Sequence, residues 1–186
     1  MSSRPPNLTF KLVLLGDGRV GKTSLVLRYV NNVFSEKQEA TVQASYLKKR
    51  LVIEGVPVTL SIWDTAGQEK FHALGPIYYR DADAALLVYD ITDSDTFLRV
   101  KKSKKLNIQE AESCAEAIGA KLFVTSAKSG AGTDDVFLYI AKLALSCRLM
   151  EKRKSDGEGL LPTPPRKGII VIDDEPEREP PPKCCS

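Results

Sequence analysis

Gly16-Asp17-Gly18-Arg19-Val20-Gly21-Lys22-Thr23 has the spelling GxxxxGKT, directly after the apolar run 11–15 and directly before a helical pattern over 24–31. Those residue types at that spacing describe a phosphate cradle. Glycines let backbone N–H groups turn inward around phosphates, the lysine reaches the terminal phosphates as a point charge, and the threonine hydroxyl can ligate magnesium. A second cluster, Asp64-Thr65-Ala66-Gly67-Gln68-Glu69, closes another apolar segment. An acidic residue at the carboxyl end of a strand beside such a loop holds magnesium through water, while Gly67 can offer a backbone N–H to a terminal phosphate. Gln68 is placed to orient an attacking water. The two clusters together point to phosphoryl transfer, in which positioning is most of what a protein supplies.

These residues need a strand, a loop and a helix in that order, and the chain provides them. Residues 10–15 read as a buried strand, and Leu25, Val26, Tyr29 and Val30 give the following helix an apolar face. Residues 46–54 and 58–64 read as a hairpin turning around Gly55-Val56-Pro57, with Val58, Leu60 and Ile62 alternating along one face. Further on come a buried strand at 84–89, a helix at 107–118 stopped by Gly119, a short strand at 121–125 and a closing helix at 134–150. Strands alternating with helices predict an α/β fold, a doubly wound, mostly parallel sheet with ligand at the carboxyl ends of its strands.

Residues 8–150 form this domain. From 151 to 186 the pattern dissolves: seven of the eleven prolines lie between Pro162 and Pro182, interleaved with charges, which predicts a disordered tail. The island Gly168-Ile169-Ile170-Val171-Ile172 within it reads as a short docking segment for a partner.

With 186 residues, 42% hydrophobic and 27% charged, the chain has the composition of one globular domain. A net charge of +3 with scattered basic residues argues against nucleic acid, the only local run being 99–105. No apolar stretch reaches the length of a membrane span and residues 1–7 lack a signal-peptide core, so a cytoplasmic location is expected. Cys114 and Cys147 fall in helical patterns as small core residues, whereas Cys184 and Cys185 stand together at the end. His72 reads as an exposed loop side chain.

With the Asp64 cluster behind GxxxxGKT, the chain resembles the Ras-like small GTPases with their P-loop NTPase fold. The resemblance narrows to the Rab family through Val42-Gln43-Ala44-Ser45-Tyr46, Leu60-Ser61-Ile62-Trp63, Tyr78-Tyr79-Arg80-Asp81-Ala82 and Leu87-Val88-Tyr89-Asp90-Ile91-Thr92, and it covers 8–100 and 106–186. The spellings Gln43-Ala44-Ser45, Gly75-Pro76-Ile77-Tyr78-Tyr79-Arg80-Asp81 and Ile172-Asp173-Asp174-Glu175-Pro176 look most like the early-endosomal subgroup. The resemblance implies GTP/GDP and Mg2+ as cofactors, with Gly18, Arg19, Val20, Gly21, Lys22, Thr23 and Ser24 on the phosphates and Phe34 against the base. Thr23, Thr41 and Asp64 would serve the magnesium, Thr41 and Gly67 would sense the γ-phosphate, and Gln68 would be catalytic. Tyr46, Trp63 and Tyr78 resemble the aromatic triad shown to effectors.

Implied partners are effectors, an exchange factor, a GTPase-activating protein that supplies an arginine, a prenylation escort and a GDP-dissociation inhibitor, acting on a monomer. Cys184-Cys185-Ser186 resembles the ending that receives two geranylgeranyl groups, which would hold the protein on the cytosolic face of early endosomes and related vesicles.

The chain departs from the family at the guanine motif. No Asn or Thr in it is followed by Lys, so Asn-Lys-x-Asp and Thr-Lys-x-Asp are absent; an internal deletion near 100–106 has taken the family strand that carries them. Ser126-Ala127-Lys128 survives as the other half of base recognition. Five strands are therefore expected, with a crossover from 84–89 to 121–125 that slides the last strand one place inward and moves Ser126–Lys128 by roughly 4.8 Å. A shortened chain of this kind could instead be a nucleotide-incompetent binding protein for escort or effector partners. A P-loop enzyme using ATP would need a separate substrate site, which the chain lacks.

Overall fold

The computed structural model describes residues 7–67, 78, 80–93, 95–96, 108–117, 119–155 and 169–173. In chain order these form β1 (Leu8–Leu15), α1 (Lys22–Asn31), β2 (Ser45–Ile53), β3 (Val56–Asp64), β4 (Ala84–Asp90), α2 (Ile108–Ala117), β5 (Lys121–Thr125), α3 (Thr133–Ser155) and β6 (Ile169–Asp173). The strands make one sheet in the order β2-β3-β1-β4-β6-β5. Only β2 is antiparallel, paired with β3 from Ser45↔Asp64 to Ile53↔Val56; β1 runs parallel to β3 and β4.

The α/β class with a mostly parallel sheet is as expected, and two details are corrected. The hairpin turns at Glu54-Gly55, one step before the expected Gly55-Val56-Pro57, because both residues take positive φ (50° and 80°), as a two-residue primed turn demands. Val56 and Pro57 are thereby freed to begin β3, a position where a proline is tolerated. Among the described residues the strand count is six, where five were expected. The last strand has not slid inward, since β6, from the expected tail, lies between β4 and β5 and pairs with both. Residues 169–172 of the expected docking island thus pair with the chain's own sheet, and Gly168 lies outside the described residues. The rest of the predicted tail lies outside the described residues, apart from five residues by which α3 overruns position 150.

Why these segments fold together follows from burial. On one side of the sheet Phe10, Leu12, Leu14, Leu60, Ile62, Leu86 and Val88 are buried with Leu25 and Val26 of α1 and Val136, Phe137 and Ile140 of α3. The Tyr29 and Phe137 rings stack there at 3.9 Å and 7°. On the other side Tyr89 is buried with Ala115 of α2, and Leu87, Ile91 and Leu122 pack around them. Strand β4 therefore sends alternate side chains into both layers, and its unbroken run AALLVYD is what burial of both faces requires. This two-layer cover fixes the carboxyl ends of β1, β3 and β4, from which the functional loops emerge.

Candidate phosphate and magnesium site

Residue Gly21, with φ 89°, opens α1 without a side-chain cap, and the first intrahelical bond runs from Leu25 N–H to Gly21 C=O at 2.8 Å. The N–H groups of Lys22, Thr23 and Ser24 thus precede the helical ladder, leaving a helix N-terminus suited to an anion. Val20 is buried beneath the loop, Arg19 is exposed with φ 66°, and Gly18 N–H donates to Asp17 Oδ1 at 2.8 Å. Lys22 is buried although charged, and its Nζ donates to the carbonyls of Gly16 at 3.0 Å and Asp17 at 2.5 Å.

The three residues expected at magnesium come from three elements and meet. Thr23 Oγ1 donates to Asp64 Oδ2 at 2.6 Å and lies 2.6 Å from Thr41 Oγ1. A hydroxyl has one proton, and that of Thr23 is given to Asp64, so Thr41 donates to Thr23. The other carboxylate oxygen, Asp64 Oδ1, is buried without a hydrogen-bond partner among the described residues. A buried acceptor left over beside two hydroxyls is a donor set for a hard cation, and a magnesium ion with its waters fits it.

Charge tells the same story from two sides. Burial pushes the Lys22 ammonium below its ordinary range, against the opposing charges of Asp64 and Asp17. Burial likewise pushes the Asp64 carboxyl up, against the Thr23 hydrogen bond and the Lys22 charge. A cation and an anion have been taken out of water together, and a phosphate on one with a divalent ion on the other would compensate for the hydration each has lost.

Gly67 closes the site from the β3 side. A Cβ placed on it would lie 2.2 Å from the Asp17 carbonyl oxygen and 2.5 Å from Gly18 N, so the residue after the Asp64 strand touches the phosphate loop itself. Gln68, the expected catalytic residue, lies outside the described residues, as do His72 and most of the segment leading to Tyr78.

The elements expected on the base side are held by a residue that sequence reasoning missed. Arg28 Nε donates to Ala127 C=O at 2.7 Å and its Nη2 to Lys128 C=O at 2.6 Å, fastening Ser126-Ala127-Lys128 to α1. Its guanidinium also lies 5.9 Å from the Phe34 ring centroid. Ala127 is buried, and Lys128 Nζ bonds Glu36 Oε1 at 2.7 Å in an exposed pair that ties this loop to the segment leading to Thr41. The only local hint was a basic residue four positions before Asn32, whose Oδ1 and backbone oxygen it also reaches. The expected inward move of Ser126–Lys128 has not happened, because β6 fills the place into which β5 would have slid.

Away from the loop, Tyr46, Trp63 and Tyr78 form a continuous aromatic row, with centroids 5.1 Å and 6.4 Å apart, and Lys11 Nζ lies 5.2 Å from the Trp63 centroid. Tyr46 is exposed and bonds Ser61 Oγ through its hydroxyl at 3.1 Å. Among the described residues, no helix is long and apolar enough to cross a membrane. Cys147 is half-buried and unpaired by disulfide, while Cys184 and Cys185 lie outside the described residues.

Comparison with known proteins identifies the family. Residues 11–106 match the Ras family model. The chain is 45% identical to Ras-related protein Rab-21 of Mus musculus, covering 96% of this chain and 92% of that one. It is 46% identical to Ras-related protein Rab-21 of Homo sapiens over 92% and 88% of the two chains, and 41% identical to that of Dictyostelium discoideum over 72% and 76%. A phosphate loop built on α1, a hydroxyl–carboxylate cation site and relatives of this similarity over most of its length place the chain in the Rab family of Ras-like small GTPases.

Proposed function

We propose that this chain is a GTP/GDP switch of vesicle and early endosomal traffic. The observation that carries the reading is the Thr41–Thr23–Asp64 hydrogen-bond chain beside Lys22. It joins the phosphate loop, the segment before β2 and the end of β3 at one point. A magnesium ion there, with a triphosphate on Lys22, would draw Thr41 and Gly67 together, and loss of the γ-phosphate would release both. Gln68 then orients the attacking water, and a partner arginine accelerates a slow intrinsic hydrolysis. The Tyr46, Trp63 and Tyr78 row is the surface by which effectors read the ordered state. The exchange factor, activating protein, prenylation escort and GDP-dissociation inhibitor are the other partners, and two geranylgeranyl groups on Cys184 and Cys185 supply the membrane anchor.

A second reading is favoured by one specific observation, the absence of Asn-Lys-x-Asp and Thr-Lys-x-Asp. Two hydrogen bonds from a guanine edge to an aspartate contribute about 1.5–3 kcal/mol each, so losing them costs roughly two to four decades of affinity. A chain weakened that far would act as a binding protein alone. Titration of the purified chain with fluorescent GDP, GTP and ATP, with and without magnesium, separates the readings. A switch binds the guanine nucleotides above ATP with magnesium-dependent tightening; equal affinity for GTP and ATP, or none for either, overturns it.

A further inference from the structure

Strands β4 and β5 do not pair with each other. Each pairs in parallel with β6, Leu86↔Ile169 to Asp90↔Asp173 on one side and Lys121↔Ile169 to Thr125↔Asp173 on the other. Take β6 away and β4 has a row of backbone groups facing a gap one strand wide, while β5 has no strand partner among the described residues. Unpaired rows of N–H and C=O on both walls of a gap form a template for one more strand. The chemistry that suits the gap is an extended run of aliphatic residues without alternation, because a central parallel strand is covered on both faces. Ile169-Ile170-Val171-Ile172 is such a run, set in a proline-rich and charged stretch.

The number of residues on either side of the segment sets how far the flanking chain can reach with β6 in the gap and out of it. Thirteen residues, 156–168, separate the end of α3 from β6. Beyond β6 the chain runs eleven further residues to Cys184. Strand β6 is parallel to β4 and β1, so Asp173 ends at the sheet edge from which the phosphate loop emerges. From there eleven residues reach at most about 38 Å; measured from Ser155, the 29 residues to Cys184 reach about 100 Å.

We infer that β4 and β5 form a strand-acceptor groove whose occupant is the chain's own Ile169–Asp173, held exchangeably, and that docking of this strand sets the length of the C-terminal tether. Docked, Cys184 can reach no further than about 38 Å from Asp173. Released, it gains more than twice the reach, and the groove is open to another extended aliphatic segment. The consequence for membrane attachment rests on the prenylation reading above; the groove and its occupant do not.

Hydrogen exchange on the unlipidated full-length chain tests this. Backbone amides of 169–173 should exchange at least about tenfold more slowly than in a synthetic peptide spanning Lys167–Glu175; exchange at the free-peptide rate would overturn the inference. Val171→Pro removes a ladder N–H in the middle of β6, so protection of 86–90 and 121–125 should fall together, and the synthetic peptide added in excess should restore it where a scrambled one does not. Unchanged protection in Val171→Pro refutes the groove, and loss that the peptide cannot restore refutes exchange. If the variant does not fold, the labelled peptide is incubated with the unmodified chain instead: slow incorporation supports an exchangeable strand, and none refutes it. Nucleotide binding is scored separately, so a failed switch leaves this outcome readable.

Discussion

Replacing Arg28 by alanine should loosen the base-side loop while sparing the cation site. Two bonds donated to that loop disappear, Nε to Ala127 C=O at 2.7 Å and Nη2 to Lys128 C=O at 2.6 Å, along with the longer, exposed local bonds to Asn32. Hydrogen bonds from a charged donor contribute about 1.5–3 kcal/mol when sheltered. The first is partly buried and counts in full; the second is exposed and is discounted to about 0.5 kcal/mol for solvent screening. The sum is about 2–3.5 kcal/mol, which for a domain of this size lowers the melting temperature by roughly 4–14 °C if the loss is felt globally. If the loop instead opens locally, the same energy appears as faster amide exchange at 126–130 with little change in melting. Differential scanning calorimetry with exchange mass spectrometry distinguishes the two. Arg28→Lys should recover no more than one bond, since an ammonium cannot reproduce the planar fork. A melting temperature within about 1 °C of the parent together with unchanged exchange at 126–130 would refute the assignment of Arg28 as the clamp.

Three further outcomes follow from the same geometry. Gly67→Ala puts a methyl 2.2 Å from the Asp17 carbonyl oxygen, so loop or β3 end must move; magnesium-dependent nucleotide binding should weaken by about tenfold or more, and an unchanged titration would show that the contact is not kept in solution. Tyr29→Phe removes a buried hydroxyl that has no partner while keeping the ring stacked on Phe137, so the protein should gain about 1 kcal/mol, read as a higher melting temperature; a lower one would mean that the hydroxyl is satisfied. The Glu36 carboxyl is held below the ordinary carboxylate value first by the Lys128 hydrogen bond and then by that ammonium's charge. A depressed folded value means that the pair's stabilisation is present above the ordinary value and fades as pH falls through the lowered one. Lys128→Ala should therefore move the Glu36 midpoint upward in an NMR titration, and an unmoved midpoint would remove the pair from solution.

The parts of the site legible in the sequence were those carried by local signals. GxxxxGKT between an apolar run and a helical pattern specifies a strand, a loop and α1 without reference to anything distant, and Asp64 at the end of an alternating strand does the same for β3. Thr41 is different: nothing in its neighbourhood points to Thr23, eighteen residues away, and only the family resemblance put it there. The hairpin turn was misplaced by a step because a glutamate with positive φ is rare enough that Gly55-Val56-Pro57 looked the better turn. Arg28 was invisible because its partners are backbone carbonyls 99 and 100 residues further on, which no pattern of residue types records.

That same arginine accounts for the largest surprise in the fold. The expected five-stranded sheet had β5 closing up against β4, a move of roughly 4.8 Å. Bonds of 2.6 and 2.7 Å from α1 to the loop that follows β5 cannot survive such a move, so closing the gap would cost the clamp as well as the packing of Phe123 against the α1–α3 core. Holding β5 in place leaves a vacancy one strand wide, and an aliphatic segment on a thirteen-residue leash satisfies both its walls at once. The four consecutive aliphatics of 169–172 already had the composition of a strand covered on both faces. Their location could not be read locally, because it depends on the distance between two strands that are fixed by contacts elsewhere in the domain.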